Sequence, residues 1–493
     1  MLGVVRSNTG LFLGAVVFLA MIALAPPAGM SAKAWHVSAV GILMAIWWIS
    51  EAIPVYATGL LPLVLFPLLG VLPIKNAAAP YANPLIFLFL GGFMIALAMQ
   101  RWNLHRRIAL NLLRLTGTKT RGLIGGFMLT SALLSMWVSN TATAIMMVPI
   151  GLSVTLLLRR DADNPATEKF ESSLVLSIAY GASIGGMATL IGTPPNALMA
   201  GYFSSAYGYT IGFAEWMAAA LPLSLVLLFL SWLVLTRFVF RLPSQHVEGA
   251  DIIIRQELKA LGPLGRGEKI TAVVFVSAAL AWILQPLIQK RIPGVELSDA
   301  GIAMIAALAL FIVPVDLKNR TFTLDWDSMR EIPWGVLLLF GGGLSLAAAV
   351  TASGLAPWIA DSLKGLSALS TFAMLLAVVA AIVFLTELTS NTATTAAILP
   401  LLAGVAVGIG ESPLLLAVPA TRAASCAFML PAATPPNAIV FGSGKVTIPQ
   451  MARTGFWLNI LAIAAIALFS YTVMQAVFEI ELGKVPAWAQ GKG

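Results

Sequence analysis

Two short strings recur in this chain, in the same order and at nearly the same distance. Ser-Asn-Thr-Ala-Thr stands at 139–143 and again at 390–394, and Thr-Pro-Pro-Asn-Ala at 193–197 and again at 434–438. A glycine-rich string, Phe89-Leu90-Gly91-Gly92, has a counterpart in Leu339-Phe340-Gly341-Gly342. The three offsets are 251, 241 and 250 residues, and most of the ten-residue difference lies in the charged connector 159–170. Ordered self-similarity on this scale means two copies of one unit. Each copy must place one Ser-Asn-Thr turn and one Thr-Pro-Pro-Asn break in equivalent positions.

The solvent for those units follows from composition. Of 493 residues, 59% are hydrophobic and only 10% charged, where soluble domains have roughly 45–50% and 25%. Mean hydropathy is +0.92. Such a chain cannot cover a core with polar surface. That excludes a disordered chain, a nucleic-acid-binding domain and an ordinary cytosolic enzyme, and leaves a multi-span membrane protein. The net charge of +8 belongs in loops, so it implies no acidic partner. The lone Cys426 excludes an internal disulfide, and three histidines argue against a metal cluster.

Apolar runs near 10–27, 36–53, 56–74, 83–100, 171–200, 217–237, 268–287, 297–315, 333–352, 413–440 and 452–478 read as spans. Arg6, the first run and Ala32-Lys33-Ala34 resemble a signal peptide, but a chain of many spans keeps its first as an anchor. The Lys/Arg bias places the polar segment 237–269, the N-terminus with Arg6, 101–121 and Lys318 to Arg330 in the cytoplasm, and the C-terminus outside.

Two further stretches are too long for one crossing and too alike to ignore. Residues 122–158 are flanked by Arg101, Arg106, Arg107, Arg114, Lys119 and Arg121 on one side and Arg159, Arg160 and Lys169 on the other. A helical hairpin that enters and leaves on the inside fits; two ordinary helices with an outer polar turn are the alternative. Residues 368–405 are built alike, with only Lys364 as a near basic flank, so both ends prefer the outside. An odd number of crossings separates the hairpins, which makes the repeat inverted. That architecture marks secondary transporters with a site near the midplane.

Ser, Asn and Thr cap helices. At a hairpin tip, Ser139-Asn140-Thr141 and Ser390-Asn391-Thr392 would cap the second arm and leave first-turn N–H groups free for an anion. The same side-chain oxygens suit a hard cation such as Na⁺. Thr-Pro-Pro-Asn must interrupt a helix. Thr193 and Thr434 then act as caps, with Pro194, Pro195, Asn196 and Pro435, Pro436, Asn437 opening a second half-helix. Broken backbone at this depth lines a cavity or is buried.

Other features carry less. Gly181-Ala182-Ser183-Ile184-Gly185 matches a hydrolase pattern but sits in an apolar span without a histidine, so close helix packing is expected. Glu387 is divided between a functional and a pairing role. Arg422 is expected to snorkel or to form an ion pair. Segment 101–118 interleaves apolar residues with Arg106, Arg107 and Arg114 as an interfacial helix would.

The paired tips and breaks resemble the divalent anion/sodium symporter family. Ser50-Glu51-Ala52-Ile53-Pro54, Phe87-Leu88-Phe89-Leu90-Gly91-Gly92-Phe93 and Ala424-Ser425-Cys426-Ala427-Phe428-Met429-Leu430-Pro431 add to the likeness, which spans about residues 45–455. The resemblance implies an all-α integral membrane protein of eleven transmembrane helices plus two re-entrant hairpins, dimeric, with a transport domain that moves like an elevator on a scaffold. The scaffold would be 1–121 and 269–367, the transport halves 122–240 and 368–493, and 241–268 a cytoplasmic linker. It implies Ser135, Ser139, Asn140 and Gly192 around one sodium ion, and Thr386, Thr389, Asn391 and Ala433 around a second, with Thr389 acting through its backbone. Asn140, Thr141, Asn391, Thr392, Thr434 and Pro435, with Ser139 and Ser390 beside them, would meet a carboxylate substrate. Family substrates are C4-dicarboxylates such as succinate, malate and fumarate, and in some members citrate or sulfate. Some relatives are exchangers in which basic residues replace sodium. Residues 122–158 and 368–410 contain no Lys, Arg or His, which favours sodium coupling.

The expectation is a sodium-coupled dicarboxylate importer of a bacterial-type plasma membrane, using Na⁺ and no organic cofactor. A dicarboxylate exchanger and a citrate or sulfate carrier are the alternatives in the same class. A membrane enzyme lacks any reactive constellation.

Overall fold

The computed structural model describes residues 2–157, 165–292, 294, 297–355, 358 and 370–490. Arg159, Arg160 and Lys364, used above as flank charges, lie outside the described residues.

The chain is helical almost throughout. Helices α1 (Leu2–Ala23) and α2 (Ala32–Ser50) pack side by side, with Gly14 against Trp47. The expected span at 56–74 is instead three short helices, α3 (Val55–Thr58), α4 (Leu61–Leu68) and α5 (Ile74–Ala78). Pro62, Pro67 and Pro73 lie inside that stretch and explain the interruption, since a continuous helix would lose a ladder donor at each. Gly59 uses the break to touch the backbone at Leu338 and Leu339. Then come α6 (Pro84–Arg101) and the amphipathic α7 (Leu104–Leu115), which buries Leu104, Ala109, Leu110 and Leu113, as the sequence led one to expect.

The stretch 122–158 is a hairpin of α8 (Thr120–Ser135) and α9 (Asn140–Leu156). It is followed by α10 (Pro165–Gly186), α11 (Pro194–Tyr207) and α12 (Phe213–Leu233). Helix α8 lies flat on α10 because Gly181 and Gly185 face the backbone at Met128 and Ala132, where no Cβ would fit. The small-residue packing expected of 181–185 is therefore present. Helix α12 ends in a π-helical turn, Val234–Val239, and the linker carries α13 (Ala250–Ala260).

Helices α14 (Arg266–Arg291) and α15 (Asp299–Ile312) lead to a two-stranded ribbon, Pro314–Asp316 with Thr321–Phe322, a small departure from an all-α chain. After α16 (Trp334–Ser353), a second hairpin is formed by α17 (Thr371–Thr386) and α18 (Asn391–Gly408). Helices α19 (Pro413–Ala423), α20 (Pro435–Gly442), α21 (Ile448–Ser470) and α22 (Val473–Val477) complete the chain.

Among the described residues, seven helical stretches are long and apolar enough to cross a bilayer. One of them is Asn391–Gly408, an arm of the second hairpin. The arms α8 and α17, at 16 residues each, reach only about 24 Å against a hydrocarbon core of roughly 30 Å.

Arg422 departs from its expected behaviour. It is fully buried rather than snorkelling, and among the described residues no carboxylate pairs with it. Its Nη1 donates to the Ala219 carbonyl at 3.0 Å and its guanidinium lies 5.0 Å from the Trp216 ring centre. Pro222 lies inside α12 just beyond that carbonyl, where a proline disturbs the helical ladder, so Arg422 serves the local backbone of α12.

Candidate functional site

Each hairpin tip is a four-residue break between helices, and each presents the start of its second arm. At the first tip, Ser139 caps α9 by accepting from Ala142 N at 3.2 Å, and Ser135 Oγ donates to Asn140 Oδ1. At the second tip, Ser390 occupies the cap position without a side-chain cap bond, contrary to expectation. There the Thr386 hydroxyl lies 2.7 Å from Asn391 Oδ1 and 2.8 Å from the Ala424 carbonyl. The Thr389 hydroxyl is occupied with Leu385 O and Thr394 Oγ1, so only its backbone remains available.

The two helix breaks are organised by their asparagines. Asn196 Nδ2 lies 3.1 Å from Gly186 O, 3.3 Å from Met187 O and 2.7 Å from Thr189 O. Asn437 Nδ2 reaches Ala427 O and Leu430 O, both at 3.0 Å. Residues 427 and 430 stand in the second copy where 186 and 189 stand in the first, so one amide performs one task twice. The unwound carbonyls lose their helical donors, and the amide replaces them. Thr434 caps its half-helix, with its hydroxyl 3.3 Å from Asn437 N; Thr193 makes no such bond. The expected Thr193 cap is therefore positional only, with an extended backbone that ends the break.

Glu387, next to the second tip, is buried and fully engaged. Its carboxylate accepts from Phe428 N (2.7 Å), Met429 N (2.9 and 3.0 Å), Leu430 N (3.1 Å) and Asn459 Nδ2 (2.8 Å). It meets no basic side chain. Its task is to tie the hairpin to the unwound segment 427–434. The equivalent place in the first copy is Met136, whose carbonyl accepts from Thr189 Oγ1 at 2.5 Å.

All four motifs meet at one cavity of about 1220 Å³. Ser139, Asn140, Thr141, Gly192, Thr193 and Pro194 line it from the first copy. Thr389, Ser390, Asn391, Thr392, Ala433, Thr434, Pro435 and Pro436 line it from the second. Ser135, Thr386, Pro195, Asn196 and Asn437 stand behind this lining, buried. Four helix N-termini thus face one space, each worth about half a positive charge. Proline at the first two positions of α11 and α20 removes donors there, so free N–H groups for an anion come from the hairpin tips.

Gly186, which sequence reasoning did not single out, belongs to the site. A methyl on Gly186 would lie 2.5 Å from Asn140 Oδ1 and 3.1 Å from Gly192 O. A methyl on Gly192 would lie 2.5 Å from Gly186 O and 3.0 Å from Ser135 O. Asn140 Oδ1, Gly192 O, Gly186 O and Ser135 O thus line the narrow space beside these two glycines, and neutral oxygens of this kind suit a hard cation. Among the described residues, no group of three or more His, Cys, Asp or Glu offers a transition-metal site.

The far wall comes from α2, α3, α6 and the segment before α16: Glu51, Tyr56, Gln100 and Glu331 line it, and Ser7 and Asn8 stand at its edge. Sequence reasoning placed none of these at the site. Among the described residues, the lining holds two carboxylates and no Lys, Arg or His.

A multi-span helical protein with paired half-helices around one cavity is the build of a membrane transporter. The chain belongs to the family described as the sodium:sulfate symporter transmembrane region, which it matches over residues 6–479. It is 43% identical over 481 residues to the sodium-dependent dicarboxylate transporter SdcS of Staphylococcus aureus (strain USA300), covering 96% of this chain and 92% of that one. In fold it is similar to the YdaH transporter of Alcanivorax borkumensis (TM-score 0.57, 17% identity, 82% of this chain and 87% of that one). It is likewise similar to MtrF of Neisseria gonorrhoeae (TM-score 0.53, 15% identity, 96% and 94%).

Proposed function

We propose that this protein is a sodium-coupled importer of C4-dicarboxylates such as succinate, malate and fumarate, resident as a homodimer in a bacterial plasma membrane. The observation that carries the reading is the cavity lining: beside apolar side chains such as Phe93, Leu97 and Ile145, it offers hydroxyls, amides and helix N-termini, with carboxylates but, among the described residues, no basic one. A dianion entering it meets no fixed counter-charge. The oxygen cradle at Ser135, Asn140, Gly186 and Gly192, and its counterpart at Thr386, Thr389, Asn391 and Ala433, would hold the sodium ions that supply one. Asn140, Thr141, Asn391, Thr392, Thr434 and Pro435, flanked by Ser139 and Ser390, would hold the two carboxylates. The relative named as a sodium-dependent dicarboxylate transporter supports the same coupling.

Alternating access would follow from the inverted repeat. Lys445, three residues before α21, pairs with Glu171 at 2.7 Å, near the start of α10. Tyr471, at the other end of α21, stacks edge-on with Phe372 at the base of the second hairpin. A helix of 23 residues separates the two places, about 35 Å, which supports hairpins entering from opposite faces. The cavity reaches Ser7, Asn8, Gln100 and Glu331, the side on which positive charge places the N-terminus, so this form would be open to the cytoplasm with the C-terminus outside. The units 122–240 and 368–493 would carry the site past the scaffold 1–121 and 269–367 in an elevator motion, with 241–268 as linker.

The test is labelled succinate uptake into proteoliposomes, with and without external Na⁺, under an imposed inside-negative potassium diffusion potential. Two sodium ions per dianion move no charge. A third leaves one positive charge, worth about 2.3 kcal/mol per 100 mV if it crosses the full field. The expected result is sodium-dependent uptake that the potential accelerates. Uptake that ignores Na⁺ but requires internal dicarboxylate would refute the reading in favour of an exchanger, and sodium-driven uptake of sulfate but not succinate would change the substrate.

A further inference from the structure

Outside the cavity, the most unusual surface is the pair of connectors on the Arg-rich side. Helices α7 and α13 run antiparallel. Thr120 N donates to Gln245 O and Val247 N to Thr118 O, both at 2.9 Å, and at the other end Arg106 pairs with Glu257. The stretch after α12 joins the same surface, since Arg121 Nε donates to Leu242 O at 2.8 Å. Of the acids here, Glu257 pairs with Arg106, Glu268 with Arg107 and Asp251 with Arg255. Among the described residues of α7, α13 and their flanks, only Glu248 is left over. Arg114, Lys119, Arg237, Arg241 and Lys259 are exposed, and no acidic partner is seen for them among the described residues.

Large apolar side chains stand out among these cations. Leu115 is 80% exposed beside Arg114, Phe238 69% beside Arg237, and Ile252 55% on α13. Water would not favour such side chains on a connector, and a second copy of this surface would meet it with like charge. Apolar tips at acyl depth with cations at phosphate depth is the arrangement of an interfacial lipid-binding surface. We propose that α7, α13 and the end of α12 form a docking surface for anionic phospholipid headgroups, with Leu115, Phe238 and Ile252 inserted at the acyl boundary. The surface lies on the connectors from α6 to α8 and from α12 to α14. If those connectors flex as the elevator reading requires, bound lipid also sets the transport rate; the binding itself does not depend on that reading.

The test uses the full chain in neutral detergent, with thermal unfolding followed as phosphatidylglycerol or phosphatidylcholine is titrated in. Phosphatidylglycerol should raise the unfolding midpoint at about tenfold lower concentration than phosphatidylcholine, and high salt should erase the difference. The variant R114Q/K119Q/R237Q/R241Q should lose the preference, while R114K/R237K/R241K should keep it and so control for misfolding. Equal response to both lipids, retention of the preference by the glutamine variant, loss of it in the lysine variant, or equal protection by inorganic phosphate alone would each overturn the proposal.

Discussion

Gly186→Ala is the sharpest test of the oxygen cradle. The glycine has no positive φ, so the backbone itself accepts alanine and the effect is steric. The added methyl would lie 2.5 Å from Asn140 Oδ1. Carbon–oxygen contacts settle near 3.3 Å, so the asparagine oxygen must withdraw by roughly 0.8 Å, or the α10 terminus must move. Either displaces one oxygen from a bound cation. Taking that contact as comparable to a hydrogen bond to a charged group, about 1.5–3 kcal/mol, half-saturation by Na⁺ should rise about 10- to 150-fold. The second copy supplies the control. Ala427 stands where Gly186 stands in the first, so that cradle already tolerates a methyl, and Ala427→Gly should cost only the burial of one carbon, about 0.8 kcal/mol of stability. The assay is the Na⁺ dependence of dicarboxylate uptake, paired with Na⁺ protection against thermal unfolding in detergent. If Gly186→Ala keeps its Na⁺ half-saturation within twofold in both readouts, the cradle is not a cation site.

Asn140→Ala and Asn391→Ala should each abolish dicarboxylate uptake while the protein still reaches the membrane; near-normal uptake by both would end the assignment of the tips. Glu387→Gln turns an acceptor-only group that faces four donors into one with an NH₂ of its own, so about 2–4 kcal/mol of stability should be lost, read as a lower unfolding midpoint; an unchanged midpoint would show that the clasp is not needed. Ser244→Cys should label only from the cytoplasmic side and Lys484→Cys only from outside, with the buried Cys426 silent; labelling of both from one side would contradict the inverted arrangement.

What the sequence disclosed, it disclosed through repetition and through proline. The tips and breaks were legible because each string recurs and a missing proline N–H acts locally; Ser139 and Thr434 cap as expected, whereas Ser390 and Thr193 hold cap positions without the side-chain bond. The span at 56–74 was misread for a related reason: its apolar run met the length rule, but three prolines divide it, and the length rule does not count donors. Glu51, Gln100 and Glu331 were out of reach, because no spacing in the chain shows that the loop after α2 and the segment before α16 face the hairpins across the cavity. Arg422 was misjudged because its partner, the Ala219 carbonyl beside Pro222, is 203 residues away.

The two copies are not equivalent, and the difference has a direction. In the first, glycine stands at 186 and 192, so a cation held there as proposed would meet the backbone closely. In the second, alanines stand at 427 and 433, and the buried Glu387 carboxylate holds three successive N–H groups of the unwound segment. Three backbone donors held by a carboxylate leave the carbonyls of that segment oriented before any ion arrives, and they place a negative group behind the second tip. Electrostatics in a low-dielectric interior acts over such distances. On the proposed reading, the second cradle would draw on charge where the first would draw on fit. If both are sodium sites as proposed, that asymmetry would make their affinities unequal without a change in either Ser-Asn-Thr or Thr-Pro-Pro-Asn.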